Sequence, residues 1–123
     1  MFQYEAQVKR VVDGDTLELR IDLGFGVWID QLVRMAHINA PDKVEWSLTG
    51  VVDPAKDFII SKIPPGAVCV VNISRKEKWG RWLADIYYLP GSIAREEIAT
   101  QGRHLNQELI TAGLVSAYEG GKK

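Results

Sequence analysis

Residues 11–23 read Val-Val-Asp-Gly-Asp-Thr-Leu-Glu-Leu-Arg-Ile-Asp-Leu, with Leu17, Leu19, Ile21 and Leu23 at every second position behind an Asp13-Gly14-Asp15 turn. A period of two marks a strand with one buried face. The turn separates two such runs, residues 4–12 and 16–23, so the segment is read as a β-hairpin. A second turn at Gly24–Gly26 leads into residues 27–38, rich in Val, Ile and Leu and read as a third strand of the same meander.

Pro41 ends that run, because it has no backbone donor and biases Ala40 toward an extended conformation. A loop is expected to about Val52. Asp53-Pro54 then starts a helix, with a side-chain acceptor at the cap and proline at the first helical position, where no donor is needed. The helix is expected to reach about Lys62 with Ala55, Phe58 and Ile59 toward the core, and Pro64-Pro65-Gly66 stop it. Residues 67–74 and 81–89 read as two further strands joined by a basic loop at Arg75–Gly80. Residues 93–100 are ambiguous. Asn106 reads as the cap of a short helix ending at Gly113, with Leu105 and Ile110 as a hydrophobic staple.

Three strands, a helix, two strands and a short helix lack the alternation of a parallel sheet. The order matches an α+β, mostly β fold: a five-stranded OB-type barrel with one helix after the third strand and a short C-terminal helix. A length of 123 residues with 46% hydrophobic content suits one core. One domain is expected over residues 1–119, with a flexible tail at 120–123.

The 15 Lys and Arg against 16 Asp and Glu leave a net charge of −1, which excludes global attraction to a polyanion. Any nucleic-acid affinity must be local, and the one dense basic cluster is Arg75, Lys76, Lys78 and Arg81 around Glu77. Taken alone, the cluster reads equally well as a solvated loop. Cys69 has no disulfide partner in the chain and reads as a small core residue. His37 and His104 are isolated and do not suggest zinc. Residues 1–10 form no apolar stretch, so no membrane association is expected and the chain reads as cytoplasmic, with secretion left open.

Asp13 and Asp15 beside a glycine are ordinary turn chemistry. Arg34 is less ordinary, since a charged group on a core-rich strand needs a partner or a function. Asn39-Ala40-Pro41-Asp42 follows it, but five residues of straight strand would put Arg34 and Asn39 on opposite faces. A shared site requires the strand to bend.

Three blocks, at residues 12–16, 33–42 and 78–88, resemble the signature blocks of the staphylococcal nuclease family and occur in the family's order. The first contains Asp13-Gly14-Asp15-Thr16. The second runs from Arg34 to Asn39-Ala40-Pro41-Asp42. The third reads Lys78-Trp79-Gly80-Arg81-Trp82-Leu83-Ala84-Asp85-Ile86-Tyr87. The resemblance covers nearly the whole chain and implies a calcium-dependent nuclease, an endonuclease acting on DNA or RNA.

By that resemblance Asp15, Asn39 and the carbonyl of Ala40 hold Ca2+, and Arg34 and Arg81 hold the scissile phosphate. Asp42 stands where the family has its general base, and Asp13 and Thr16 support the turn. Two positions depart from the pattern. Asn39 replaces a carboxylate, which removes a negative charge from the ion site, and Asp42 replaces glutamate, one methylene longer. Either Asp42 acts, or Glu45 takes its place, or the domain is an OB-fold module that binds without cutting. Lys78 and Trp79 are candidates for contact with single-stranded DNA or RNA, Trp79 ahead of Trp82, Tyr87 and Tyr88, which read mostly as core. Relatives continue into a further helix after the equivalent of Tyr118, so a homo-oligomer covering that surface is a further expectation.

Overall fold

The computed structural model of the chain describes residues 2–40, 44–47, 50–76 and 80–117, with the side chains of residues 44–52 outside that description. Three strands open the chain: β1 (Phe2–Asp13), β2 (Thr16–Gly24) and β3 (Val27–Met35). The short β4 (Ile38–Asn39) follows, then β5 (Val44–Ser47) and β6 (Gly50–Val52), and α1 (Pro54–Lys62). Next come β7 (Val68–Lys76), β8 (Trp82–Tyr88), α2 (Arg95–Gln101), β9 (Arg103–His104), α3 (Leu105–Thr111) and β10 (Ser116–Ala117).

The strands pair in the order β3-β2-β1-β7-β8-β9, and β3 pairs again with β8, which closes five of them into a barrel. All these ladders are antiparallel except the closing one, where Val33, Arg34 and Met35 run parallel to Trp82, Leu83 and Ala84. β1 serves two neighbours: residues 2–7 pair with β7, while residues 6–13 pair with β2 across register shifts between Val8 and Arg10 and between Val11 and Asp13. Such irregularities bend a strand and let a small sheet curl on itself. The closed OB-type barrel, mostly β with helices added, is the fold expected from the sequence.

Alternation builds the core. Leu17, Leu19 and Ile21 point inward from β2, Val33 and Met35 from β3, and Ala84, Ile86 and Tyr88 from β8, all buried. Each of the larger ones contributes roughly 1.5–3 kcal/mol by leaving water. Leu23 breaks the expected series, being 40% exposed at the barrel mouth. Asp53 caps α1 as expected, its carboxylate accepting from the Lys56 N–H at 3.1 Å, and Ala55 and Ile59 are buried beneath. Phe58 packs at the edge of the same core.

Five expectations need correction. The third strand ends at Met35 rather than at residue 38, because His37 turns into the left-handed region at φ 66° and sets Ile38–Asn39 apart as β4. The stretch up to Val52, expected as loop, contains the β5–β6 hairpin. The described residues hold three helices rather than two, the ambiguous segment forming α2. Asn106 is not a cap: α3 starts at Leu105, with His104 in the cap position and no side-chain cap bond, so the staple fails as well. Arg75 and Lys76, expected in the basic loop, end β7 instead. The tail at 120–123 lies outside the described residues.

Candidate active site

The β1–β2 turn, the end of β3, β4 and the start of β8 meet at one end of the barrel. Glycine is required in that turn: a Cβ on Gly14 would stand 2.7 Å from the Ala55 Cβ and 2.9 Å from the Ala40 Cβ. Contacts that short force something to shift, so the missing side chain lets α1 and the segment after β4 close onto the turn.

Asp15 is fixed from several directions. Its N–H donates to the Asp13 carboxylate at 3.2 Å, and its carbonyl accepts from the Met35 N–H at 2.8 Å. One carboxylate oxygen, Oδ1, accepts from the Thr16 hydroxyl at 3.1 Å, and Oδ2 accepts from the Ala40 N–H at 3.2 Å. Burial pushes the Asp15 carboxyl above its ordinary range, and the hydrogen bond to Asp13 pushes the same way. The Ala40 N–H and the Arg34 guanidinium pull against them.

Arg34 sits opposite Thr16 in the β2–β3 ladder. Its Nη2 lies 3.5 Å from Asp15 Oδ2 and donates to Asn39 Oδ1 at 3.3 Å. The bend that a shared site requires is therefore present, made by Ala36 and His37 between β3 and β4. Arg81, just before β8, donates from Nη1 to the buried Thr16 hydroxyl at 3.3 Å. Both guanidiniums thus reach consecutive residues of one turn.

Hard oxygen donors are the right kind for calcium. Asp15 Oδ2 and Asn39 Oδ1 both face one positively charged group, the Arg34 guanidinium. In kind the pair fits. In charge it is poor, with one carboxylate and one neutral amide. Among the described residues no group of three or more His, Cys, Asp or Glu gathers as a metal cluster. The part of Ala40 that touches Asp15 is its N–H.

Asp42, Lys78 and Trp79 lie outside the described residues, as does the side chain of Glu45, whose backbone belongs to β5. Of the other aromatic candidates, Tyr88 is buried in the core. Tyr87 stacks on the His104 ring at 4.8 Å, and Trp82 packs at the core's edge under the Lys76 ammonium. His104 also bonds Asp85 at 2.8 Å, a structural contact in keeping with its isolation in the sequence.

One residue behind the site was not recognised from sequence. The Asn106 amide, 2% exposed, donates to the carbonyls of Ala36 at 2.9 Å and Ala84 at 3.1 Å and accepts from the Ile86 N–H at 2.9 Å. It ties the turn after β3 to β8, and hence Arg34 and Asn39 to the strand that follows Arg81. Its signal would have been a polar residue on the apolar face of a short helix. On the other side, β10 pairs with β4, and the Ser116 hydroxyl donates to the Asn39 carbonyl at 3.3 Å.

No helix among the described residues is long and apolar enough to cross a membrane. No curated protein matches the chain. The family model described as staphylococcal nuclease homologue matches residues 32–123, well over half of the chain, from just before Arg34 through Arg81. The Asp13–Thr16 turn precedes the matched segment and joins it through the hydrogen bonds of Asp15 to Met35 and Ala40. The chain therefore belongs to the staphylococcal nuclease homologue family, and its function is of the nuclease type, directed at nucleic acid.

Proposed function

We propose that this protein is a calcium-dependent phosphodiesterase that hydrolyses single-stranded DNA, RNA or both by in-line attack of water. The observation that carries the reading is the approach of Arg34 to Asp15 and of Arg81 to Thr16, which puts two guanidinium groups at one rigid turn. A planar fork of donors suits the non-bridging oxygens of a phosphodiester. Donors fixed before reaction favour the pentacoordinate transition state, which carries more negative charge than the ground state.

Asp15, Asn39 and the Ala40 carbonyl would hold Ca2+, which when bound polarises the phosphate and offsets its charge. Asp13 and Thr16 keep Asp15 in place through their hydrogen bonds to it. Asp42 takes the proton of the attacking water. Its side chain is shorter than glutamate by about 1 Å of reach, a misplacement that can cost roughly 10²-fold, so turnover is slow. Glu45, on β5, is the alternative base. Lys78 and Trp79 hold the flanking strand by charge and stacking.

A second reading, an OB-type module that binds nucleic acid and cuts poorly, is favoured by the low charge of the ion site, where Asn39 is neutral. Cleavage of labelled single-stranded DNA and of labelled RNA, each with and without millimolar calcium, for the natural chain and Asp42→Glu, separates the two. Calcium-dependent cutting by the natural chain supports the nuclease. Cutting by Asp42→Glu alone supports the binding module, and no cutting by either, even at high enzyme concentration, overturns the nuclease proposal.

A further inference from the structure

The two ends of the barrel differ. α1 lies against the end that carries the Asp13–Thr16 turn, where Ala55 approaches Gly14. Away from that turn, between the β2–β3 tip and the paired ends of β7 and β8, the barrel interior opens as a cavity of about 400 Å³. Tyr4, Ile21, Ile29, Ile73 and Trp82 form its walls, and Phe2 and Leu23 stand at its rim, 65% and 40% exposed. Side chains this apolar are left in contact with solvent at some cost, which a bound apolar molecule would recover.

The polar groups are few. Gln31 points inward from β3, in phase with Ile29 and Val33, and offers an amide inside an otherwise apolar wall. Among the described residues Lys76 is the single charged residue of the lining, and its ammonium stands 5.5 Å from the Trp82 ring centroid. An apolar cavity of a few hundred Å³ with a small number of orienting polar groups is the usual form of a small-molecule site, and barrel mouths are among its preferred places.

We propose that this mouth is a binding site for a small amphiphilic carboxylate, an aliphatic or aromatic chain seated among Ile21, Ile29, Ile73 and Trp82 with its carboxylate against Lys76. The sign of the head group follows from Lys76, the one charged residue of the lining among the described residues. The ligand is a free molecule and not a membrane, because the apolar surface is a recess within the barrel. The site does not rest on the phosphodiesterase reading, although its wall residue Trp82 directly follows Arg81 in the chain.

The test is an NMR titration of the full chain with decanoate and, separately, with decanol. The expected result is saturable binding of decanoate that shifts the signals of Tyr4, Ile21, Ile29 and Ile73. Lys76→Gln should weaken decanoate by about three- to fivefold and leave decanol unchanged, the range for a partly exposed charge pair. Ile29→Trp, which fills the recess, should abolish both. Because Lys76 is on the surface, its variant keeps the test decisive should Ile29→Trp fail to fold. No binding at millimolar decanoate, shifts that map elsewhere, or equal decanoate affinity in Lys76→Gln would each overturn the proposal. So would a concentration-dependent dimer in which the fully exposed Phe25 of a second copy occupies the recess.

Discussion

The Asn106 side chain donates to the Ala36 carbonyl at 2.9 Å across 70 positions of sequence, in a place where water does not reach. The same amide serves Ala84 and Ile86 on β8, so a single side chain holds the bend on which Arg34 and Asn39 depend. Replacing it by alanine strands buried backbone groups, each costing about 1–3 kcal/mol. Asn106→Ala should lose roughly 3 kcal/mol of stability in urea denaturation. A loss below about 1 kcal/mol would mean that the bend is held by other contacts.

Gly14→Ala should be as severe for a different reason. The added methyl meets Cβ atoms of Ala55 and Ala40 at 2.7 and 2.9 Å, neither of which is the tip of a flexible chain. The backbone must move, at roughly 1–3 kcal/mol. Thermal unfolding measures the cost, and a melting point equal to that of the natural chain would contradict the packing described for the turn.

Much of the barrel was legible because its signal is local. The alternation of Leu17, Leu19 and Ile21, the Gly24–Gly26 turn and the Asp53-Pro54 start of α1 each act within a few residues. The break in the third strand was not legible, since Ala36 and His37 carry no turn signature. A non-glycine residue at positive φ is held there by partners far away in sequence, Ala84 and Asn106 among them. Asn106 misled for a related reason. Asparagine before a helical pattern is usually a cap, and only the tertiary fold shows three backbone groups waiting for it. The candidate site residues were named from a resemblance in motifs, whereas the contacts that join Asp15 to Arg34 and Ala40 are long-range and appear in no spacing.

Tyr88 gives the chain an alkaline limit. Burial first, and then its hydrogen bond to Glu108, push the Tyr88 hydroxyl from 10.0 up to about 12. An acid whose folded pKa is raised contributes stability that is complete below its unfolded value, here near pH 10, and is lost as pH climbs toward 12. Tyr88→Phe should therefore be less stable than the natural chain at neutral pH but show a shallower decline above pH 10. Denaturation midpoints across that range check it, and parallel curves for the two proteins would contradict it.

Asn39→Asp tests the ion site without any catalysis. A second carboxylate beside Asp15 should raise calcium affinity by at least about tenfold, since ligand charge is a main determinant of affinity in such sites. The readout is the calcium-dependent rise in melting temperature, which follows binding to the folded state. If the variant gains nothing over the natural chain, Asn39 is not a ligand.

The central claim is that Arg34 and Arg81 act on one phosphate. Single-turnover cleavage of a labelled single-stranded DNA in saturating calcium, for the natural chain, Arg34→Ala, Arg81→Ala and the double variant, tests it directly. Each single change should slow cleavage by roughly 10²–10³. The double change should cost clearly less than the product of the two, because groups that bind the same charge act as a unit. Strictly multiplicative losses, or cleavage that survives either substitution, would contradict the account.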